Sequence, residues 1–121
     1  MHEMGIISGV LDVAIRSARD AGAERVCAVT LSVGEMTEAI PDALQFAFEA
    51  LSEGTMCEGA QLAIDMISPR SICLECGEEF SHDRFHRRCP ACESYETTLV
   101  SGRELEIASI EVEFDDEDRP A

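Results

Sequence analysis

The sequence predicts an α+β fold in which a small three-stranded sheet carries two helices and a cysteine-rich segment is inserted between the second and third strands. Two stretches repeat apolar residues at helical spacing, and three others alternate them as strands do. Four of the six cysteines fall within one short segment between the second and third predicted strands. A chain of 121 residues can build one modest core with a small appendage.

The two helices are predicted from apolar periodicity and end signals. The stretch MGIISGVLDVAIRSARDAG repeats apolar residues every three to four positions and should end near Gly22. The second helix should begin at Pro41, because proline suits a first turn, and stop at Gly54. The predicted buried stripes are Ile7, Val10, Leu11, Ala14 and Ala18 in the first helix, and Leu44, Ala47, Phe48 and Leu51 in the second.

The first two strands are predicted from β-branched residues and alternation. RVCAVTLSVGEM should form a strand that ends at Gly34, and AQLAIDMI should form the next strand. The predicted inner faces are Cys27, Val29, Leu31 and Val33 in the first, and Leu62, Ile64 and Met66 in the second. Cys27 is therefore interpreted as a small buried side chain rather than a functional thiol.

The last strand, ELEIASIEVEF, changes the phase of its alternation. Leu105 and Ile107 are odd-numbered, whereas Ile110 and Val112 are even-numbered. Because side chains alternate with a period of two, one face stays buried only if the strand is irregular between these pairs. The sequence predicts a β-bulge or a strand break near residues 108–109.

The charge of the chain argues against nucleic acid. Twenty-five acidic residues outweigh nine basic ones, giving a net charge of −16, which would repel a phosphate backbone. The surplus lies outside residues 70–103, and the run DDED near the end is interpreted as a solvated tail. The chain contains no apolar run long enough to span a bilayer and no recognisable signal peptide, so we expect a cytoplasmic protein without a membrane partner.

The cysteine-rich segment carries the strongest chemical signal. CLEC and CPAC are separated by twelve residues and form two CxxC knuckles at zinc-ribbon spacing. Four thiolates suit tetrahedral Zn²⁺ and leave no open position, so the site should be structural. The predicted zinc ligands are Cys73, Cys76, Cys89 and Cys92. Metal binding should supply most of the folding energy of this segment, which has few large apolar side chains.

Two alternatives to this zinc site stay open. One is a redox dithiol pair formed by a CxxC motif, and the other is replacement of a cysteine ligand by His82 or His86, which lie between the knuckles. The neighbouring arginines are offset by acidic residues of the same segment and favour a protein-facing or solvated surface. The chain shows no recognisable catalytic triad, phosphate loop or acid–base carboxylate pair, so we expect a protein that is not an enzyme.

The order of these features resembles the HypA/HybF family of hydrogenase maturation proteins. The resemblance covers the MHEM start, the first helix, the strand ending in VGEM, the FAFEAL helix, the CxxC and CPxC pairs and the closing ELEIASIEVE strand. It implies a nickel metallochaperone with Ni(II) as transient cargo and structural Zn(II). The implied partners are a nickel-binding GTPase and the hydrogenase large subunit, and a homodimer is left open. Glu93 departs from the family, which usually has glycine after the second knuckle.

The resemblance also implies nickel ligands at the N-terminus, His2 and Glu3. Chemistry supports this independently, because the Met1 amine, the His2 backbone nitrogen and one imidazole nitrogen can chelate one ion in a plane. Such donors suit square-planar Ni(II) or Cu(II) better than tetrahedral Zn(II). Glu3 would add its carboxylate or its backbone nitrogen. The competing function is a zinc-ribbon interaction module without a nickel role.

The predicted domain boundaries follow from the insertion of the cysteine-rich segment. Residues 1–69 and 98–121 should form a nickel-binding α/β domain, and residues 70–97 a zinc-ribbon domain.

Overall fold

The computed structural model describes residues 3–115 of the chain. Within this range, two helices and six strands follow one another, with a single 3₁₀ turn at Glu35–Thr37 after the first strand. The helices are α1 (Glu3–Asp20) and α2 (Pro41–Ser52). The strands are β1 (Arg25–Gly34), β2 (Gln61–Ile67), β3 (Arg70–Cys73), β4 (Glu79–Ser81), β5 (Thr97–Ser101) and β6 (Leu105–Glu113). The predicted order of helices and strands is confirmed, and the α+β class with it.

Helix α1 forms as its periodicity predicts. Its buried side chains are the five of the predicted stripe, Ile7, Val10, Leu11, Ala14 and Ala18. The helix ends in a Schellman arrangement, in which Gly22 adopts a φ of 78° and the Ala23 N–H donates to the Ala18 carbonyl at 2.9 Å. Glycine suits this left-handed position because it has no Cβ to clash with the backbone.

Helix α2 begins with Pro41 in its first turn, as predicted, and Gly54 follows its end with a φ of 79°. Leu44, Ala47 and Phe48 are buried as predicted, but the predicted burial of Leu51 is wrong. Leu51 is half-buried, and Ser52 takes the buried position one turn after Phe48. The Ser52 hydroxyl donates to the Glu49 carbonyl at 3.3 Å, which allows a polar side chain at this site.

The three predicted strands form one sheet in the order β2-β1-β6. Val29, Leu31 and Val33 of β1 are fully buried, whereas Cys27 is only half-buried and its neighbour Val26 is fully buried. The predicted burial of Cys27 is therefore wrong. The Val26 N–H donates to the carbonyl of Met56 at 2.9 Å, so the start of β1 is hydrogen-bonded to the loop between α2 and β2.

Strand β6 is continuous over nine residues, so a break at its phase change is wrong. The change of phase itself is present, since Ile107 and then Ile110 and Val112 are half-buried while residues 108 and 109 are both exposed. Leu105 is 38% exposed and does not join the inner face. A β-bulge at residues 108–109 stays a prediction.

A second three-stranded sheet, in the order β4-β3-β5, lies within the cysteine-rich segment. Both pairings are antiparallel, with Ile72 opposite Glu79 on one side and Thr98 on the other. The sequence did not predict these strands, which are three to five residues long and too short to show alternation. Their sheet holds the first knuckle at the end of β3.

The chain divides into two compact units. The first contains residues 1–31, 39–64 and 106–121, and the second contains residues 32–38 and 65–105. Division by compactness does not test function, so the nickel-binding and zinc-ribbon assignments of the predicted segments stay predictions. Within residues 3–115, no helix is long and apolar enough to span a membrane.

Candidate metal centre

The two CxxC knuckles share the same backbone hydrogen bonds. In the first, the Cys73 N–H donates to the Glu78 carbonyl at 2.8 Å, and the Gly77 N–H donates to the Cys73 carbonyl at 2.9 Å. The second knuckle repeats both bonds sixteen residues later, from Cys89 to Ser94 and from Glu93 to Cys89, each at 2.9 Å. Each turn therefore aims its two thiols to the same side, and the pair of turns forms a four-sulfur cluster.

The spacing of the four sulfur atoms fits a tetrahedral metal site. The Sγ atoms of Cys73, Cys76, Cys89 and Cys92 all lie within 4.8 Å of one another. Two of the pairs, Cys73 with Cys92 and Cys76 with Cys89, are 3.5 Å apart. A Zn–S bond of about 2.3 Å in a tetrahedron places sulfurs about 3.8 Å apart, which lies within the observed range. These residues therefore fit the closed zinc site that the sequence predicts.

Burial divides the cluster into an inner and an outer pair. Cys73 and Cys89, the first cysteine of each knuckle, are each 1% exposed and pack with Phe80 in a small core. Cys76 and Cys92 are exposed. One cysteine of each knuckle is thus joined to the core of this unit, so a metal bound to all four would tie the two turns to that core.

The thiols cannot all ionise without a cation. A hydrogen bond from the Cys76 backbone lowers the pKa of Cys73 to about 7 against the opposing effect of desolvation. The Ser94 backbone favours the thiolate of Cys92, but the neighbouring Cys73 and desolvation outweigh it and raise the pKa of Cys92 to about 12. Crowded thiolates repel one another, and a divalent metal removes this conflict by binding all four in the deprotonated form.

The turns after the two knuckles differ in one residue. Gly77 and Glu93 occupy matching positions and have left-handed φ angles of 78° and 65°. Glycine accepts this conformation without strain, whereas a residue with a Cβ is disfavoured there. Glu93 nevertheless adopts the same left-handed conformation as Gly77, so its departure from the usual family glycine leaves the geometry of the turn intact. The Arg88 side chain donates to the Glu93 carbonyl at 3.0 Å and pairs with its carboxylate at 3.3 Å.

The two histidines between the knuckles are engaged elsewhere. His82 Nε2 lies 2.7 Å from the hydroxyl of Ser71, a fully buried polar residue of β3, and the His82 ring packs against Phe80. His86 Nδ1 lies 2.8 Å from the Asp83 carboxylate, and this contact lowers the pKa of Asp83. Among residues 3–115, the four cysteines form the one cluster that brings potential metal ligands together, and neither histidine belongs to it.

Two of the three predicted nickel ligands, Met1 and His2, lie outside the described residues. Glu3 is the first residue of α1 and is half-buried. Cys57, outside the ribbon, is fully buried, and burial raises the pKa of its thiol, which makes it a poor nucleophile or ligand. The hydrogen bond between Ser71 and His82 was not predicted, because no local pattern links two residues eleven positions apart.

The match to a family model covers residues 1–112, from the N-terminus through almost all of β6. The model describes hydrogenase and urease nickel incorporation by a HypA metallochaperone. The chain belongs to the HypA family. It is thus a member of a family of metal carriers involved in hydrogenase maturation, which is not a family of enzymes.

Relatives within the HypA family match the chain over nearly its full length. The hydrogenase maturation factor HypA of Geobacter metallireducens is 42% identical over 113 residues, which are 93% of this chain and all of that protein. The HypA of Chlorobium luteolum is 39% identical over 97% of this chain and all of that protein. The solution structure of the nickel metallochaperone HypA from Helicobacter pylori shares the fold, with a TM-score of 0.69 and 23% identity over 95% of this chain and all of that one.

Proposed function

We propose that this protein binds Ni(II) at its N-terminus, through Met1, His2 and Glu3, and helps to insert it into nickel–iron hydrogenase during maturation. The observation that carries this proposal is the family match, which begins at residue 1 and so includes the MHE start. Nickel is a cargo that must be both bound and released. An open, end-of-chain ligand set suits that task better than the closed four-sulfur cluster does.

The position of α1 supports a nitrogen-rich nickel site. Glu3 is the first residue of the helix, and the first backbone N–H groups of any helix have no partner within it. A backbone nitrogen there can lose its proton to a metal without breaking a helical hydrogen bond. Because the ligands must be deprotonated, nickel affinity should fall as the pH falls, which offers a means of release.

The same proposal assigns structural Zn(II) to Cys73, Cys76, Cys89 and Cys92. When bound, the zinc ion would cross-link the two knuckles and stabilise residues 70–97 as a zinc-ribbon domain. Residues 1–69 and 98–121 would then form the nickel-binding part. The sulfur spacing within 4.8 Å supports this assignment. No catalytic step is assigned to the zinc ion.

The partners that fit this role are a nickel-binding GTPase and the large subunit of hydrogenase. The six cysteines are all free thiols, which suits a reducing compartment such as the cytoplasm. The net charge of −16 continues to argue against nucleic acid as a partner.

The test is a nickel titration of untagged, zinc-loaded protein by calorimetry. The parent is compared with a His2→Ala variant and with a form that carries a short N-terminal extension. We expect both changes to weaken nickel binding by about tenfold or more, since each removes a chelating nitrogen, one from the imidazole and one from the free amine.

His86→Ala is the matched control, because it removes an exposed histidine that lies outside the proposed nickel site. We expect its nickel affinity to stay within about twofold of the parent. Zinc content is measured in parallel and should be unchanged in every form. Nickel binding by His2→Ala that equals the parent would show that the N-terminus is not the site.

A further inference from the structure

An open groove of ≈ 1070 Å³ lies in the first compact unit, between α2 and the start of β2. We call it the α2–β2 groove, and the residues that matter for its chemistry are Asp42, Phe46, Glu49, Glu53, Glu58 and Leu62. Its volume exceeds what a small ligand usually fills, and its open form suits a polypeptide segment better than an enclosed molecule. None of the four clustered cysteines lines it.

The apolar anchor point of this groove is Phe46. Its side chain is 71% exposed, although the neighbouring Phe48 is 3% exposed and packs in the core. Burying a phenylalanine contributes about 1.5–3 kcal/mol, so Phe46 offers binding energy that folding leaves unused. Large exposed apolar side chains inside a groove are typical of docking surfaces.

The rim of the groove carries charge of one sign. Asp42, Glu49, Glu53 and Glu58 are all exposed, and no basic residue of the described range 3–115 lines the groove. Within residues 3–115 none of these four carboxylates forms an ion pair, whereas Arg25, which approaches Gly59 at one end, is already paired with Glu113. Uncompensated charge around an apolar centre selects a partner of opposite sign.

The floor of the groove is an edge strand. Strand β2 is at the end of the sheet order β2-β1-β6, so among the described residues no strand pairs with the other side of its backbone in that sheet. The Gln45 amide donates to the Leu62 carbonyl at 2.6 Å and occupies one of the edge groups. An extended segment can therefore lie along this edge, beside Phe46 and the acidic rim.

We propose that the α2–β2 groove is a docking site for a basic, extended polypeptide segment of a partner protein that places an apolar side chain against Phe46. Lysine or arginine side chains of the segment pair with Glu49, Glu53 and Glu58. Because the four cysteines do not line this groove, a partner can occupy it without displacing a cysteine-bound metal.

The experiment measures binding of a fluorescently labelled peptide that alternates lysine and valine, by anisotropy, to the full chain loaded with zinc. Two further peptides replace valine by serine or lysine by glutamate. The protein variants are Phe46→Ala and the pair Glu49→Gln with Glu53→Gln. Matched controls on exposed positions of α1 are Val13→Ala and the pair Asp12→Asn with Asp20→Asn.

We expect the lysine–valine peptide to bind, and either groove change to weaken binding by about tenfold, while the α1 controls stay within about twofold of the parent. The serine peptide should bind more weakly and the glutamate peptide not at all, and added salt should weaken the lysine–valine complex. An equal loss of peptide affinity in the α1 controls, including the pair Asp12→Asn with Asp20→Asn, would show that the peptide responds only to net charge and would overturn the proposal.

Three other results would also overturn it: no binding by the lysine–valine peptide, binding unaffected by the groove variants, or equal binding by the glutamate peptide. Self-association of the free protein that is lost in Phe46→Ala would assign the groove to a second copy instead. Because Phe46 and the acids are exposed, the variants should keep their fold, which circular dichroism and zinc content check.

Discussion

The left-handed turn at Glu93 gives a quantitative test of how the second knuckle holds metal. Glu93 has a φ of 65°, and its structural counterpart Gly77 has a φ of 78°. A residue with a Cβ loses about 1 kcal/mol in this conformation relative to glycine. The Glu93→Gly change therefore removes strain, while the Glu93 N–H and carbonyl, both held by hydrogen bonds, stay in place.

One contact opposes this gain. The Glu93 carboxylate pairs with Arg88 at 3.3 Å, and the two side chains are 73% and 50% exposed. An exposed ion pair contributes about 0–1 kcal/mol, so its loss offsets about half of the gain. We expect Glu93→Gly to be more stable than the parent by about 0.5 kcal/mol, and Glu93→Gln, which loses only the pair, to be less stable by a similar amount.

The assay is competition for zinc against a chromophoric chelator in reducing buffer at fixed pH. In the proposed zinc-ribbon domain, metal binding and folding would be coupled, so a change in stability would appear as a change in zinc affinity. The difference of about 1 kcal/mol between Glu93→Gly and Glu93→Gln corresponds to about fivefold in affinity. Because both variants lack the carboxylate, this comparison isolates the backbone conformation.

Gly77→Ala provides the reverse change at the matching position. A Cβ at Gly77 would meet no atom within 4 Å, so the expected loss, about fivefold in zinc affinity, is conformational rather than steric. Zinc affinity of Glu93→Gly no higher than that of Glu93→Gln, or a neutral Gly77→Ala, would refute the strain argument.

Three further changes test the rest of the fold and the metal centre. Gly34→Ala should lower the free energy of unfolding by about 3 kcal/mol or more, because its Cβ would lie 2.0 Å from the Gly102 carbonyl oxygen. Gly9→Ala, where the added Cβ would meet open space on α1, should instead raise it by about 0.5–1 kcal/mol. An unchanged free energy of unfolding in Gly34→Ala would contradict this packing. Leu44→Ala should lower the free energy of unfolding by about 2–5 kcal/mol and Leu51→Ala by clearly less, since Leu44 is fully buried and Leu51 only half-buried. Equal losses of the two variants in denaturant unfolding would contradict the observed buried face of α2. Apparent zinc affinity should fall from pH 8 to pH 6 and fall more steeply below about 7. Protons compete for Cys92, whose pKa is raised to about 12, over this whole range, and below about 7 they also compete for the Cys73 thiolate, whose pKa is about 7. A flat chelator-competition profile from pH 8 to pH 6 would contradict this.

The elements that the sequence predicted well are those whose pattern is local. The stripe of α1 is complete because burial of one helix face depends on the 3.6-residue period alone, and its end depends on one glycine at the left-handed position. The four cysteines could be grouped for the same reason. A CxxC turn brings two thiols together by itself, and only the meeting of the two turns requires the fold.

The predictions that failed depend on contacts between distant segments. Cys27 has the right phase for the inner face, but it is only half-buried, whereas the adjacent Val26, whose N–H bonds to the distant Met56 carbonyl, is fully buried. Ser52 rather than Leu51 is buried in the core, and its hydroxyl donates to the Glu49 carbonyl one turn earlier. Apolar periodicity carries no information about such polar partners.

One feature of the metal centre could have been found from the sequence. Aligning CLECG with CPACE places Glu93 opposite Gly77, and a glycine at that position signals a left-handed turn in both knuckles. The three short strands of the ribbon could not have been found in this way. Each owes its conformation to pairing with its neighbour rather than to its own residues.

The sequence by itself determined the order of helices and strands, the place of the cysteine-rich segment between β2 and β6, the four cysteines that cluster and, through the family match, membership of the HypA family. Tertiary structure alone decided which polar groups meet, such as Ser71 with His82, and which acidic side chains gather around Phe46. The physical reason is distance along the chain. The periods of helices and strands depend on residues a few positions apart in the sequence, whereas packing between segments depends on how the whole chain folds.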